Sequence, residues 1–185
     1  MPRLDTQDFL RLVEESHELM TWDSEATGLN GDYNSILCVS MKRFGGQMKT
    51  FQVKKPGEDK EVCNAAAREL EKALCWITYY GKGFDVKMLR ARLLYHGLPD
   101  LKPRHHIDLF FTLLSMKTSR HSQAHLLRWL GTTEQKMDVG ASQWSEVLAN
   151  PKKVMPVMVK RCESDVEGLE SLYKRTKQVI KDVTR

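Results

Sequence analysis

Two acids one residue apart inside an apolar run, Leu19-Met20-Thr21-Trp22-Asp23-Ser24-Glu25-Ala26-Thr27-Gly28-Leu29, constrain this chain more than any other feature. In an extended strand, side chains at i and i+2 point to the same face, so Asp23 and Glu25 project together just before a Thr-Gly turn. Such a pair is one half of a site for a divalent cation. The plainer alternative is two solvated acids at a strand end, and the rest of the sequence has to choose between them.

A chain of 185 residues suits one compact domain, and we take 1–185 as a single unit with one site. Lys and Arg number 29 against 24 acids, a net charge of +5 that suits a polyanionic partner and an ordinary soluble surface equally. Cys38, Cys63, Cys75 and Cys162 lie far apart without a Cys-x-x-Cys, so reduced thiols are expected. Acids at Asp5, Asp8, Glu14, Glu15 and Glu18 rule out reading Met1 to Met20 as a signal peptide. No apolar run approaches the ~20 residues of a membrane span, so the expectation is a cytoplasmic protein with no membrane partner.

Leu4, Phe9, Leu12 and Val13 have the spacing of a short amphipathic helix within residues 1–18. The acid-bearing strand follows, then strands over Ile36 to Phe44 and Lys49 to Val53. Gly45-Gly46-Gln47-Met48 separates these two at hairpin distance, which predicts an antiparallel meander of three strands. Val62 to Leu74 has helical spacing, Trp76 to Tyr80 is a β-branched and aromatic strand, and Val86 to Tyr95 is helical again. Ile107 to Leu114 fits a strand or a short helix, and Ser122 to Leu130 and Gln143 to Ala149 read as helices. A long helical segment over 154–183 closes the chain, with Pro156 tolerable only in its first turn or at a kink. The pattern predicts an α/β domain with a mixed β-sheet flanked by helices.

Two further acids are candidates for the site. Asp85 follows the glycine-flanked turn Gly81-Lys82-Gly83 at the end of a central strand, where α/β sheets build their sites, although it also suits a helix N-cap. Asp165 lies on the final helical segment four residues after Arg161, the spacing of a surface ion pair.

Taken in order, Trp22-Asp23-Ser24-Glu25-Ala26-Thr27-Gly28-Leu29, Tyr80-Gly81-Lys82-Gly83-Phe84-Asp85-Val86 and Arg161-Cys162-Glu163-Ser164-Asp165-Val166 resemble the three motifs of the DEDD superfamily of ribonuclease H-like 3′–5′ exonucleases. Asn34-Ser35-Ile36-Leu37-Cys38, His106-Ile107-Asp108-Leu109 and the Leu130-Gly131 helix end with Trp144 downstream look like its bacterial and phage branch, and the likeness covers about residues 19–175. The resemblance implies a ribonuclease H-like sheet and a two-metal hydrolase that releases nucleoside monophosphates from 3′ ends of single-stranded DNA or RNA. It implies Asp23, Glu25, Asp85 and Asp165 as ligands of two Mg²⁺ or Mn²⁺ ions. Thr27, Gly28 and Leu29 would line the pocket of the terminal nucleotide, and Tyr80, Lys82 and Phe84 would add substrate contacts.

One position departs from the pattern. Branches of that superfamily carry a Tyr four residues, or a His five residues, before the last Asp, and here Arg161 and Lys160 stand there. Arginine stays protonated and is no general base, but its fork suits a scissile phosphate or the positioning of water. An active chain is then expected to be slow or Mn²⁺-dependent, and the alternative is a catalytically weak or inactive nucleic-acid-binding accessory module with the same fold. An endonuclease or resolvase is the third reading, with no use for Phe84-Asp85 where it stands.

Other signals are set aside. The Gly45–Thr50 stretch lacks the Gly before Lys of a phosphate loop. His121 and His125 have metal-ligand spacing without partner ligands. Trp22, Trp76, Trp129, Phe84 and Phe110 are expected in the core. Lys82, Lys87, Arg90 and Arg92 form a basic cluster that is either a solvated helix face or a phosphate track.

Overall fold

In a computed structural model the protein is described over residues 5–133, 146–181, 183 and 184. Helix α1 (Thr6–Glu15) is capped by Asp5, whose carboxylate accepts the Asp8 N–H at 2.8 Å. Strands β1 (Leu19–Ala26), β2 (Ile36–Arg43) and β3 (Met48–Gln52) form the expected antiparallel meander, with Trp22 opposite Met41 and Val39 opposite Phe51. Gly45 supplies a φ of +71° in the β2–β3 turn, a conformation that side chains resist.

Helix α2 (Lys60–Leu70) crosses to β4 (Cys75–Thr78), which runs parallel to β1. Helix α3 (Asp85–Tyr95) then crosses to β5 (His105–Asp108), parallel to β4. The sheet order is β3-β2-β1-β4-β5, so β1, β4 and β5 end at the same edge. The Ile107–Leu114 stretch is both of the forms open to it: β5 ends at Asp108, and the short helix α4 (Leu109–Leu113) starts at once, with Asp108 as its cap.

Alternation along β1 divides the core. Met20, Trp22 and Ala26 face one cluster with Val62, Ala66, Leu70, Met88 and Leu89 from α2 and α3. Leu19 faces the other, with Leu10, Val13, Ile77, Leu169 and Tyr173. The latter includes α5 (Gln123–Trp129) and α6 (Pro151–Thr176). Helix α6 starts earlier and stops sooner than the 154–183 expectation; Pro156 lies inside it, and a 3₁₀ turn over Lys177–Val179 follows. Residues 146–149 are helical, whereas the rest of the helix expected from Gln143, with Trp144, lies outside the described residues, as does Leu4.

Two expectations need correction. Trp129 is 58 % exposed at the end of α5 and does not belong to the core. Arg92 is not part of a solvated or phosphate-tracking face, because it is buried and paired. The carboxylate of fully buried Asp59 accepts from Arg92 Nε and Nη2, both at 2.9 Å, and from the Ile36 N–H at 2.9 Å, and lies 2.7 Å from His96 Nε2. Arg92 Nη1 reaches on to the Gly31 carbonyl at 3.0 Å. One ion pair thus ties the starts of β2 and α2 to α3 and to the β1–β2 loop.

Removing one partner of such a pair strands the other charge out of water. Arg92→Ala is expected to lower the unfolding free energy by about 3–5 kcal/mol in urea denaturation, with Arg92→Lys recovering only part of it. An unchanged midpoint would show that the pair carries no weight.

Candidate metal centre and nuclease site

The two ends of the sequence meet at β1. Asp23 and Glu25 share the face of β1 that packs on α6, and Asp165 comes from α6 itself. Buried residues Met158, Cys162, Asp165, Leu169, Leu172 and Thr176 recur on α6 at alternating steps of four and three, so Asp165 sits in the inward stripe. Its helix is pinned there by Gln123 Nε2, which donates to the Asp165 carbonyl at 2.8 Å. Cys162, one turn earlier, fits a thiol against β1, with Sγ 3.4 Å from the Asp23 carbonyl.

One carboxylate oxygen from each of Asp23, Glu25 and Asp165 lies within 4.8 Å of the others. Glu25 and Asp165 are buried, with 6 % and 3 % of their surface exposed. Three anions at this spacing repel strongly unless positive charge joins them. Arg161 supplies some: its Nε is 2.9 Å from Glu25 Oε1 and 3.9 Å from Asp165 Oδ2. The donor set, hard carboxylate oxygens from a rigid strand and a rigid helix, fits Mg²⁺ or Mn²⁺.

Asp85 is placed differently from the other three. Its Oδ1 accepts the Ser24 N–H at 3.0 Å and the Ser24 hydroxyl at 2.6 Å. The Ser24 N–H points in the plane of the sheet, and β1 pairs with β4 only as far as Thr21, so Asp85 grips the open edge of β1 at the residue between the two acids. Nor is it a helix cap: it is the first residue of α3, and Phe84 occupies the cap position. Burial pushes its carboxyl up to about 6, against the Ser24 bonds that pull it down.

The β1–β2 loop carries the other residues expected at the substrate. Thr27 Oγ1 accepts the Ser35 N–H at 3.0 Å, and a Cβ on Gly28 would lie 2.5 Å from Asn34 Oδ1, so any other residue there displaces the Asn34 side chain. Leu29 is 80 % exposed. Across the site, Tyr80 leaves β4 with a φ of +63°, and Phe84 packs against the core. Arg90 is held by Asp100, which leaves Lys82 and Lys87 as the cluster's remaining cations.

Sequence reasoning assigned no role to Asp108, although a cap residue ahead of an apolar helix was a visible signal. Its carboxylate accepts the N–H groups of Tyr80 at 2.8 Å, Lys82 at 2.9 Å and Phe110 at 3.1 Å, and so shapes the turn that delivers Asp85. Next to it, burial pushes the His106 imidazole down to about 3, leaving a neutral ring against the Thr78 hydroxyl. His106 therefore offers no charge to a phosphate. A cavity of about 850 Å³ between β3 and α2 is lined by none of the clustered acids.

The family model of the RNase_H superfamily matches residues 20–177, a span that contains every one of these acids. The chain belongs to the RNase_H superfamily. Among curated proteins, none matches the sequence significantly. Solved structures share the fold: a family B DNA polymerase from the hyperthermophilic archaeon Pyrobaculum calidifontis superposes with a TM-score of 0.70 at 14 % identity over 86 % of this chain. The match covers 24 % of that polymerase, so the chain spans about a quarter of its length. A nuclease in its apo form matches with a TM-score of 0.59 at 18 % identity, covering 93 % of this chain and 78 % of that one. NrnC of Brucella melitensis matches with a TM-score of 0.55 at 18 % identity, covering 87 % and 72 %. Among the described residues no helix is long and apolar enough to cross a membrane.

A cation bound only by the folded site stabilises the protein by mass action, by about 2.7 kcal/mol at a hundredfold excess over its Kd. Mn²⁺ should therefore raise the melting temperature of the protein and leave that of Asp165→Asn unmoved. Equal shifts in both would place the ion elsewhere. Arg161→Gln should bind Mn²⁺ several-fold more tightly in calorimetry, since the guanidinium competes for Glu25; weaker binding would show that Arg161 assists the ion.

Proposed function

We propose that the chain is a divalent-metal-dependent 3′–5′ exonuclease that hydrolyses phosphodiester bonds at single-stranded 3′ ends and releases nucleoside monophosphates. The observation that carries this reading is the meeting of Asp23, Glu25 and Asp165, from opposite ends of the sequence, in one group of carboxylates within 4.8 Å. Membership of the RNase_H superfamily and the likeness in fold to nucleases support it. Mg²⁺ or Mn²⁺ ions bound there would supply a nucleophilic water at neutral pH and charge for the leaving 3′ oxygen.

The chain's own residues do the rest. Asp23, Glu25 and Asp165 would hold the ions with Asp85 as the fourth acid, while Asp85 Oδ1 fixes Ser24 and with it the spacing of Asp23 and Glu25. Thr27 and Gly28 present backbone to the terminal nucleotide and Leu29 packs on its base. Tyr80, Lys82 and Phe84 flank the strand on the other side. Arg161 turns its fork from Glu25 to the scissile phosphate when substrate arrives, a bidentate contact that lysine does not reproduce.

The test is a 5′-labelled single-stranded oligomer, DNA or RNA, incubated with Mg²⁺ or Mn²⁺. A descending ladder is expected, and Asp23→Asn should slow it roughly 10³-fold, the loss of several kcal/mol of transition-state stabilisation. Cleavage of a circular substrate would overturn exonuclease action. The contact between Arg161 and Glu25 favours one second reading, an accessory module whose acids are neutralised from within; binding without laddering in either metal is its signature.

A further inference from the structure

At the shared carboxyl edge of β4 and β5, two large aromatic rings stay half exposed: Tyr80 at 47 % and Phe111 at 46 %. Their centroids are 5.8 Å apart and their planes tilted by 34°, with Phe110 braced edge-on against Tyr80 at 4.9 Å. The position of Tyr80 is enforced. Its φ of +63° is strained for a residue with a side chain, its N–H is held by Asp108 Oδ1 at 2.8 Å, and its ring lies so close over Gly83 that a Cβ there would collide with it. A fold that only had to bury these rings would not hold one of them outward at the cost of a strained backbone.

Beside the rings lies a cavity of about 290 Å³ lined by Lys82, Asp108, Phe111, Thr112 and Ser115 among others. Lys82 is partly buried, and burial pulls its ammonium below the usual lysine range. Among the described residues its Nζ makes no hydrogen bond or ion pair, and the nearby Asp108 carboxylate is spent on three backbone N–H groups. A partly desolvated cation next to exposed aromatic faces suits a ligand with both a phosphate and a flat ring.

We infer that Tyr80, Phe111 and Lys82 form a subsite for the nucleotide on the 5′ side of the one removed, the base stacking on Phe111 and its phosphate meeting Lys82. The strand's direction follows from topology. The acids stand at the end of β1; the β1–β2 loop with Thr27, Gly28 and Leu29 lies on its β2 side, and the shelf lies on its β4–β5 side. A terminal nucleotide seated at that loop leaves the rest of the strand to cross the acids toward Phe111. The inference rests on the proposed exonuclease reading for this polarity, and it adds Phe111, a residue outside the three motifs.

The test uses a single-stranded oligonucleotide with 2-aminopurine one position from its 3′ end, bound to the protein in Ca²⁺ and followed by fluorescence. Stacking on an aromatic side chain is worth roughly 5- to 150-fold in affinity per base. Wild type should quench the probe, Phe111→Ala should lose the quench and that affinity, and Phe111→Trp should keep both, which shows that the exposed position tolerates change. An abasic residue at the probe position should cost wild type a similar factor and cost Phe111→Ala nothing more. Independent losses that multiply, or Phe111→Ala binding like wild type, would overturn the subsite. Laddering in Mn²⁺ is scored separately: a ladder without Phe111 dependence refutes the shelf and keeps the exonuclease, whereas quenching without a ladder keeps the shelf and refutes the exonuclease.

Discussion

Everything in this molecule that points to chemistry depends on three carboxylates being forced together by packing. Asp23 and Glu25 cannot separate, because a strand hydrogen-bonded to β2 on one side and, along its first half, to β4 on the other fixes them on one face. Asp165 cannot withdraw, because the stripe it belongs to is buried against that strand and Gln123 holds its backbone. Fold stability is spent on keeping like charges within 4.8 Å of one another. Arg161 offsets part of that repulsion, and a hard cation would offset more of it.

The end of β1 is held from its edge as well. Asp85 bonds Ser24 between the two acids, and Asp108 builds the turn from which Asp85 starts. Farther out, Asp59 and Arg92 hold the Gly31 carbonyl and the Ile36 N–H, the two ends of the segment that follows Thr27, Gly28 and Leu29. Buried ion pairs add little net stability over apolar packing, so their value here lies in fixing where a loop sits.

Much of this was legible in the order of residues. Alternation placed Asp23 and Glu25 on one face, and the Gly45-Gly46 hairpin set the antiparallel half of the sheet. Asp165 was harder, since Arg161 four residues earlier suggested a surface pair; the stripe through Met158, Cys162 and Leu169 was the signal that it points inward. Trp129 and Arg92 misled for a common reason. Residue type predicts burial only on average, and whether a tryptophan at a helix end or an arginine mid-helix is covered depends on what the tertiary fold brings opposite. Asp59 and Ser24 had no distinctive spacing, because Ile36, Arg92 and Asp85 lie 23 to 61 residues from them in the chain, and the cap position of Asp108 gave no hint of its hold on Tyr80 and Lys82.

The most direct measurement of the central claim is an anomalous difference map from crystals soaked in Mn²⁺. The account predicts density within about 2.5 Å of carboxylate oxygens of Asp23, Glu25 and Asp165 together, with Arg161 moved off Glu25. A map with no peak among these three acids, and Arg161 still on Glu25 at saturating Mn²⁺, would contradict it.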